Sequence, residues 1–410
     1  MADLYVYFIE KAINVLRHNG HFSYIVANKW MRTNYGKPLR QWLRNQNIEE
    51  IIDFGDLPVF KGVTTYPCIL KIVKNDSICN FEAVKMKSLD FKDLHEHILP
   101  LRYKVDQTRL ADSGWSLTNK SEQLLLDKLK SKGIPLGKYV NGKIYRGILT
   151  GLNEAFIISK EKRDELIASD PQSMELIKPF LIGRDIKRYK YLCVNQYLIF
   201  TRRGINIDNY PAIKNHLEKY KSRLIPKPKN HIGKWNGRKT GNYAWYEIQD
   251  TIDYWSEFEK EKIIIPAITN SANYTYDTES YYSNDKTSII PTQDFYLIAL
   301  LNSKLLDFFV KSIASTKSGG FYEYKPMYVS QIPIRQINSE DTNEVKKHDK
   351  IVSLVQQMLD LNKRLSATRD PRSREQLQRR IDATDTQIDQ LVYELYNLTE
   401  EEIAVVENKK

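Results

Sequence analysis

The residues with the clearest chemical potential are cations that lie among loop-forming and aromatic residues. They are Lys227, Lys229, Lys234, Arg238 and Lys239, interleaved with Pro226, Pro228, Gly233, Gly237 and Gly241 and followed by Tyr243, Trp245 and Tyr246. Proline and glycine predict an open loop here rather than a helix or a strand. Such a loop can place its cations along a row of phosphates while the aromatic rings fix its base. A mobile surface loop without a ligand is the alternative.

Further cations surround this loop in the sequence. Arg184, Lys187 and Arg188 follow a turn at Gly183, and Arg202 and Arg203 close a predicted strand, where an arginine can reach the edge of a base. Residues 184–247 contain 15 Lys/Arg and 4 Asp/Glu, whereas the rest of the chain has 47 of each, so this segment accounts for the whole formal net charge of +11. The concentration predicts a polyanionic partner, and a solvated basic face is the alternative.

Two amides follow a predicted buried strand at residues 263–268. Asn270 and Asn273 lie beside Ser271 and Tyr274. Amide side chains can pair with the edge of adenine, and they are equally typical of turns, so both interpretations stay open.

Catalytic and metal-binding motifs are absent from the sequence. It contains no GxGxxG, no GxxxxGK[ST], no HExxH and no GxSxG, and its seven histidines are scattered. We therefore predict no catalytic residue and no metal site in this chain. Three distant cysteines, Cys68, Cys79 and Cys193, form neither a zinc pattern nor a disulfide framework, which favours a reducing, cytoplasmic location. No stretch of 18 uncharged apolar residues exists, so we expect no membrane partner.

The helices and strands that must position these residues follow a pattern typical of an α/β protein. The length of 410 residues predicts two to three domains. Residues 1–100 alternate helix and strand. A helix is predicted at 3–17, with Leu4, Phe8 and Ile13 on its apolar face, and another at 37–46; strands are predicted at 21–27, 48–54, 66–73 and 78–86. We expect about three of these four strands to belong to one sheet, too few for a complete doubly wound domain.

The remaining chain divides into a mixed and a helical part. Residues 101–338 combine short β-like runs with one clear helix at 295–312, and residues 339–410 are helical. There, an apolar stripe from Ile351 to Leu361 precedes a break at Asp370-Pro371, and a heptad seam from Leu377 to Leu395 follows. We predict a short antiparallel helical hairpin in preference to an intermolecular coiled coil. It acts as a spacer or docking arm, or else it packs onto the preceding domain.

Several segments together resemble the TaqI-like N6-adenine DNA methyltransferases. The first is residues 3–30, ending in Ala27-Asn28-Lys29-Trp30, followed by 51–73 with Phe54-Gly55 and Val59-Phe60. Further on come Pro135-Leu136-Gly137, residues 147–156 and Ile177-Lys178-Pro179-Phe180-Leu181, then Gly183-Arg184-Asp185-Ile186. Leu300-Leu301-Asn302-Ser303 and Gln331-Ile332-Pro333-Ile334 complete the set. In order and spacing, these segments resemble the end of the catalytic domain and the specificity domain of that family. The helical tail resembles those of fused type II restriction–modification enzymes and of type I specificity subunits.

The resemblance implies an incomplete Rossmann-like sheet in residues 1–100, a target-recognition domain in 101–338 and a helical hairpin in 339–410. Double-stranded DNA would be the partner, and Tyr145 would stack on an extruded adenine, with Phe156 as its rival. S-adenosylmethionine serves the full-length family, but no Pro-Pro dipeptide or cofactor motif occurs here. We therefore expect no cofactor binding or methyl transfer by this chain alone. A stand-alone specificity subunit that directs a separate methyltransferase or nuclease chain is the alternative.

Overall fold

The computed structural model describes residues 3–63, 65–76, 79–112, 114–192 and 195–407. Cys193 and Ile78, the first residue of one predicted strand, lie outside the described residues. The protein is a mixed α/β structure with several sheets and with helices throughout the chain.

The N-terminal body contains a five-stranded sheet in the order β1-β3-β2-β4-β5. Strands β1 and β2 pair antiparallel with β3, β2 pairs parallel with β4, and β5 closes the sheet antiparallel to β4. The carboxyl ends of β1, β2 and β4 therefore lie along the same edge. The elements are α1 (Leu4–Val15), β1 (His21–Ala27), α2 (Lys37–Leu43), β2 (Asn47–Asp53), β3 (Pro67–Val73), β4 (Asn80–Lys85), α3 (Leu94–Ile98) and β5 (Tyr103–Asp106).

Two predictions for this body are wrong in detail. Helix α1 buries Val6, Ile9 and Ile13, whereas Leu4 and Phe8 of the predicted apolar face are exposed. The helix carries two apolar stripes at helical spacing, and the sheet beneath it selects one of them. The predicted end at residue 100 also falls inside the body, because β5 extends the sheet and Trp115 packs on Trp30 with ring centroids 5.2 Å apart.

The middle of the chain holds short elements around a second core. A four-stranded sheet has the order β16-β9-β12-β8, in which β16 is the later strand Tyr282–Ser283, and a two-stranded hairpin is formed by β10 and β11. The elements up to residue 224 are α4 (Lys120–Lys132), β6 (Ile134–Pro135), α5 (Leu136–Tyr139), β7 (Tyr145–Arg146), α6 (Asn153–Phe156), β8 (Ile157–Ser159), α7 (Lys160–Ser169), β9 (Ile177–Leu181), β10 (Ile186–Lys187), β11 (Lys190–Tyr191), β12 (Gln196–Ile199), α8 (Pro211–Glu218) and α9 (Lys221–Leu224).

A second four-stranded sheet has the order β15-β13-β17-β7. It lies between this second core and a third core, which also contains residues of 295–313 and of the helical tail. Residues 225–334 supply β13 (Lys262–Pro266), β14 (Ile268–Thr269), β15 (Thr275–Asp277), β16 (Tyr282–Ser283), β17 (Thr287–Pro291), α10 (Phe295–Asn302), α11 (Lys304–Ile313), β18 (Thr316–Lys317), β19 (Phe321–Glu323), α12 (Pro326–Val329) and β20 (Pro333–Ile334). The prediction of a single helix at 295–312 is wrong. The extended backbone of Ser303 separates α10 from α11, and its side chain caps α11 by accepting from the Leu306 N–H.

The tail consists of α13 (Thr342–Ala367), α14 (Pro371–Leu395) and α15 (Glu400–Val406). The predicted break is confirmed: Asp370 caps α14, and Pro371 occupies its first turn, where a missing N–H costs nothing. Lys347 near the start of α13 pairs with Glu394 near the end of α14 at 3.0 Å.

The tail does not project as a free spacer. Ile351, Leu354, Val355 and Met358 of α13 are buried in one core with α10, α11 and the end of α14. Further out, Leu361, Leu365 and Leu377 form a small separate cluster. The spacer interpretation is therefore wrong for the near part of the tail, because its apolar stripe matches an apolar face of α10 that the sequence spacing alone did not connect to it.

Candidate nucleic-acid interface

The predicted basic loop is closed at its base. We use the name basic loop for residues 226–239, which follow α9. The N–H of Lys227 donates to the carbonyl of Arg238 at 2.9 Å, and the N–H of Arg238 donates to that of Ile225 at 3.2 Å. A Cβ at Gly237 would lie 2.1 Å from the Ile225 carbonyl, so this close approach requires glycine. The two ends of the loop are thus hydrogen-bonded to each other, and the loop is closed rather than open.

Arg238 holds the loop from inside. Its side chain is buried, and its guanidinium donates five hydrogen bonds of 2.6–3.2 Å to the carbonyls of Leu224, Thr150, Glu247, Ala244 and Trp245. Burial lowers the pKa of Arg238 to about 10, so the group stays charged at neutral pH. The prediction that Arg238 contacts DNA is wrong, because all its donors are used within the protein.

The lysines of the loop have the opposite environment. Lys229, Lys234 and Lys239 are exposed, and Lys227 is half-buried with its Nζ 3.3 Å from the Gly233 carbonyl. The sequence has no Asp or Glu between residues 219 and 246. In the described part of the chain, none of these four lysines forms an ion pair, so their charges face solvent and are available to an anion.

Arg202 and Arg203 differ although they are adjacent. Arg203 donates to the carbonyls of Ile248 at 2.5 Å and Gln249 at 2.8 Å and lies 3.7 Å from a carboxylate oxygen of Glu247. It therefore fixes the segment after the basic loop, and its predicted DNA contact stays a prediction. Arg202 is half-buried, with its guanidinium 4.9 Å from the ring centroid of Trp255.

The β10–β11 hairpin shows the same division. Arg184 before it and Lys187 within it are exposed. Arg188 instead donates to Oδ1 of Asp385 on α14 at 2.6 and 3.1 Å, and also to the carbonyl of Asn302. Arg188 therefore joins the hairpin to the tail, and the prediction that it contacts DNA stays a prediction.

Tyr145 does not present a free ring. It is half-buried and stacks on Tyr254, with ring centroids 4.8 Å apart and an interplanar angle of 21°. The Tyr254 hydroxyl donates to the Arg146 carbonyl at 2.9 Å, which holds the pair in place. Its rival Phe156 is fully buried. Neither ring is placed to stack on a base without a rearrangement, so the role predicted for Tyr145 stays a prediction.

The structure supports the turn interpretation for Asn273 and leaves both interpretations open for Asn270. Asn273 donates to Oγ1 of Thr269 at 2.7 Å within the turn after β14. Asn270 is exposed, and its Oδ1 lies 3.4 Å from Oγ of Ser271. Asn270 therefore remains a candidate base contact, whereas the amide of Asn273 has a partner within the protein.

Two features were missed by the sequence analysis. Ile232 at the tip of the basic loop is 96% exposed. A small polar cleft also lies at the carboxyl edge of the five-stranded sheet, lined by Asn28, Asp53, Tyr66 and residues 315–317 of the following body. Asn28 donates to Oδ1 of Asp53 at 2.8 Å across it. The sequence contained a signal for the cleft, because both residues lie at the carboxyl ends of predicted strands that alternate with helices, and ligands bind at that edge of α/β sheets.

Within the described residues, no group of three or more His, Cys, Asp or Glu side chains could hold a metal ion. None of the described helices combines the length and the apolar character that a membrane crossing requires.

Comparisons with known proteins agree with the predicted resemblance. Residues 178–334 match the TaqI-like C-terminal specificity domain, and residues 1–60 match the Eco57I restriction-modification methylase. The chain is 26% identical to the type II restriction enzyme and methyltransferase RM.Eco57I of Escherichia coli, covering 99% of this chain and 44% of that protein. It is 25% identical to the type II methyltransferase M.BstVI of Geobacillus stearothermophilus, covering 88% and 66%.

The fold is similar to that of the type IIL restriction-modification enzyme MmeI, solved in complex with DNA. The TM-score is 0.64 at 14% sequence identity, over 99% of this chain and 52% of that one. The chain spans between 44% and 66% of the lengths of the two curated relatives named above.

Proposed function

Taking residues 178–334 as a TaqI-like specificity domain and residues 1–60 as part of a restriction-modification methylase, we propose that this chain recognises DNA within a site-specific adenine-N6 methyltransferase or a fused restriction–modification enzyme. Full enzymes among its relatives favour this over a stand-alone specificity subunit with a separate partner chain. The proposed location is the cytoplasm, where such an enzyme meets its DNA.

The proposed architecture follows from the cores. A Rossmann-like part of the catalytic domain extends to about residue 118, since Leu117 still belongs to the N-terminal core. The specificity domain continues to about residue 338, and α13 and α14 form an antiparallel helical hairpin. The pairing of Lys347 with Glu394 supports that orientation.

The observation that carries the proposal is the set of exposed lysines on the basic loop, in a stretch of sequence without acidic residues. Double-stranded DNA presents about one charge per 1.7 Å of helix axis, and each cation that neutralises a phosphate releases counterions. Lys229, Lys234 and Lys239 have no competing carboxylate within the described residues, and Arg238 fixes the loop that carries them. The backbone of the loop is held before the ligand arrives, so less ordering free energy is lost on binding than with a flexible loop.

The test is the salt dependence of binding to a mixed-sequence duplex. Replacing Lys229, Lys234 and Lys239 by Ala should flatten the log–log slope by roughly 2–3 units, at about 0.9 per phosphate contact. The matched control replaces the exposed Lys11, Lys92 and Lys346 by Ala, which removes the same charge elsewhere. Equal slopes for both triple variants, or no duplex binding by the unmodified chain, would contradict the proposal.

Methyl transfer is not assigned to these residues. S-adenosylmethionine use is implied for the methyltransferase relatives, but this sequence has no Gly-rich cofactor motif and no Pro-Pro dipeptide. The residues present therefore do not account for binding of the methyl donor. The chain incubated with DNA and tritiated S-adenosylmethionine should incorporate no label above a boiled control, and incorporation would refute this assignment.

A further inference from the structure

The tip of the basic loop carries an apolar side chain with almost no protein contact. Ile232 is 96% exposed, compared with 71% for Leu4, the next most exposed large apolar side chain among the described residues. Isolated exposed apolar residues are ordinary on protein surfaces. The backbone around Ile232 and the charges beside it make this one informative.

The backbone on both sides of Ile232 is held. The N–H of His231 donates to the Pro228 carbonyl at 3.1 Å, and Nε2 of His231 lies 3.1 Å from the Lys234 carbonyl. The rings of His231 and Trp235 meet edge to face at 5.0 Å. Gly233 has φ +102°, a value that L side chains rarely adopt, so the turn after Ile232 depends on glycine. The tip therefore has a defined backbone conformation, in which the Ile232 side chain faces solvent.

All charged side chains near the tip in the sequence are cationic. The 28 residues from 219 to 246 contain eight Lys/Arg and no acid. A partner for this surface must combine negative charge with an apolar contact a few ångströms away. Duplex DNA has this arrangement, since phosphates flank grooves whose floors expose thymine methyl groups and base steps into which apolar side chains can wedge.

We propose that Ile232 is a base-contacting residue: the tip enters a groove, the neighbouring lysines take the flanking phosphates, and the isoleucine side chain packs against the bases. This rests on the proposed DNA-recognition function and extends it. Phosphate contacts set affinity and its salt dependence, whereas base contacts set sequence preference. The lysines and Ile232 should therefore affect different measurable quantities.

The experiment first enriches duplexes from a randomised pool with the unmodified full chain. Affinities for an enriched duplex and for the mixed-sequence duplex are then compared. Ile232→Ala should reduce the enriched-to-mixed affinity ratio about tenfold, which corresponds to one lost base contact of roughly 1.4 kcal/mol, and leave the salt slope unchanged. Leu124→Ala, at a 52% exposed leucine on α4, is the matched control and should change neither quantity.

Two further duplexes identify the kind of contact. If Ile232 packs on thymine methyl groups, replacing thymine by uracil in the enriched duplex should weaken the unmodified chain and not Ile232→Ala. If it wedges between bases, 2-aminopurine fluorescence should rise with the unmodified chain and not with the variant. Either result supports the proposal.

The outcomes that contradict it are separable from failure of the proposed function. An unchanged affinity ratio for Ile232→Ala, with normal duplex binding, overturns the base contact alone. Binding to vesicles of phosphatidylcholine and phosphatidylserine that Ile232→Ala abolishes, with duplex binding intact, would assign the tip to a membrane surface instead. If the unmodified chain enriches no duplex, the DNA-recognition function fails and this inference fails with it.

Discussion

Arginines and lysines of the same basic segment lie in different environments. Arg188, Arg203 and Arg238 donate to carbonyls and carboxylates inside the protein, whereas Lys229, Lys234 and Lys239 face solvent. A charge count treats all six alike. The comparison teaches that the basic segment combines an internal framework with an external set of solvent-facing cations. For these six residues the type of cation separates the two, although Arg184 is exposed as well.

The physical reason lies in the two cationic groups. A guanidinium has five N–H donors in a fixed plane and is more weakly hydrated than an ammonium, so it can satisfy several carbonyls at once in a buried position. Arg238 reaches five carbonyls in this way. The lysine ammonium is compact and strongly hydrated, and it is less costly to leave in water beside a phosphate.

The largest effect should follow from Arg238→Ala. The substitution leaves buried carbonyls without donors, so we expect the free energy of unfolding to fall by about 3–5 kcal/mol. Arg238→Lys keeps the charge but offers at most three donors, and it should recover only part of the loss. Urea unfolding measures both. If Arg238→Ala unfolded like the unmodified chain and flattened the salt slope, the internal assignment of Arg238 would be incorrect.

The next effect concerns the contact between the β10–β11 hairpin and the tail. Arg188→Ala removes the hydrogen bonds to Asp385 and to the Asn302 carbonyl, and should lower the free energy of unfolding by about 2–3 kcal/mol. A double-mutant cycle with Asp385→Ala should give a coupling energy of roughly 1–2 kcal/mol. Additive single effects would mean that the pair does not hold the tail.

A pH-dependent effect is expected beside this pair. Burial raises the pKa of Asp389 to about 6. Its Oδ1 accepts from the backbone N–H of Lys304, and Arg188, Asp385 and the Lys304 ammonium face the carboxyl group. Because the folded-state pKa exceeds the unfolded one, the native state binds the extra proton between pH 4 and 6. The free energy of unfolding should fall by roughly 2 kcal/mol as the pH rises through this window.

Asp389→Asn tests that expectation, because it removes the titrating group and keeps the shape of the side chain. The variant should lose this part of the pH dependence between pH 4 and 6. A profile parallel to that of the unmodified chain would assign the pH dependence to other groups.

The smallest effect on stability should come from the lysines. Replacing Lys229, Lys234 and Lys239 together by Ala should change the free energy of unfolding by less than about 0.5 kcal/mol, because exposed side chains without partners contribute little. The same variant carries the largest expected change in salt slope. A large loss of stability would show that the lysines also belong to the internal framework.

Local sequence patterns predicted much of the fold. Strand β1 begins and ends where predicted, and the apolar stripe of α13 is buried as its spacing indicated. Two features that depend on long-range contacts could not be predicted. The buried face of α1 depends on the sheet beneath it, and the split at Ser303 depends on Asn302, whose amide exchanges hydrogen bonds of 3.0 Å with the backbone of Tyr274.

The candidate site shows the same limit. The basic loop was predicted from its prolines, glycines and lysines, which are local signals. Arg238 was misassigned because its carbonyl partners come from Thr150 and Glu247 as well as from its neighbours, and no sequence pattern connects them. Ile232 was overlooked because a single isoleucine in a loop has no periodicity, and only its exposure distinguishes it.

The core that α10 and α11 share with α13 and α14 limits how new sequence preferences can be engineered or acquired by recombination. A chimera that exchanged only residues 178–334 for those of a relative would place foreign helices against the resident tail, and both apolar faces would lose their matched partners. Arg188 and Asp385 would also be separated into different parents. A working transplant therefore has to include the tail, so that recognition and the helical segment after it are inherited as one unit.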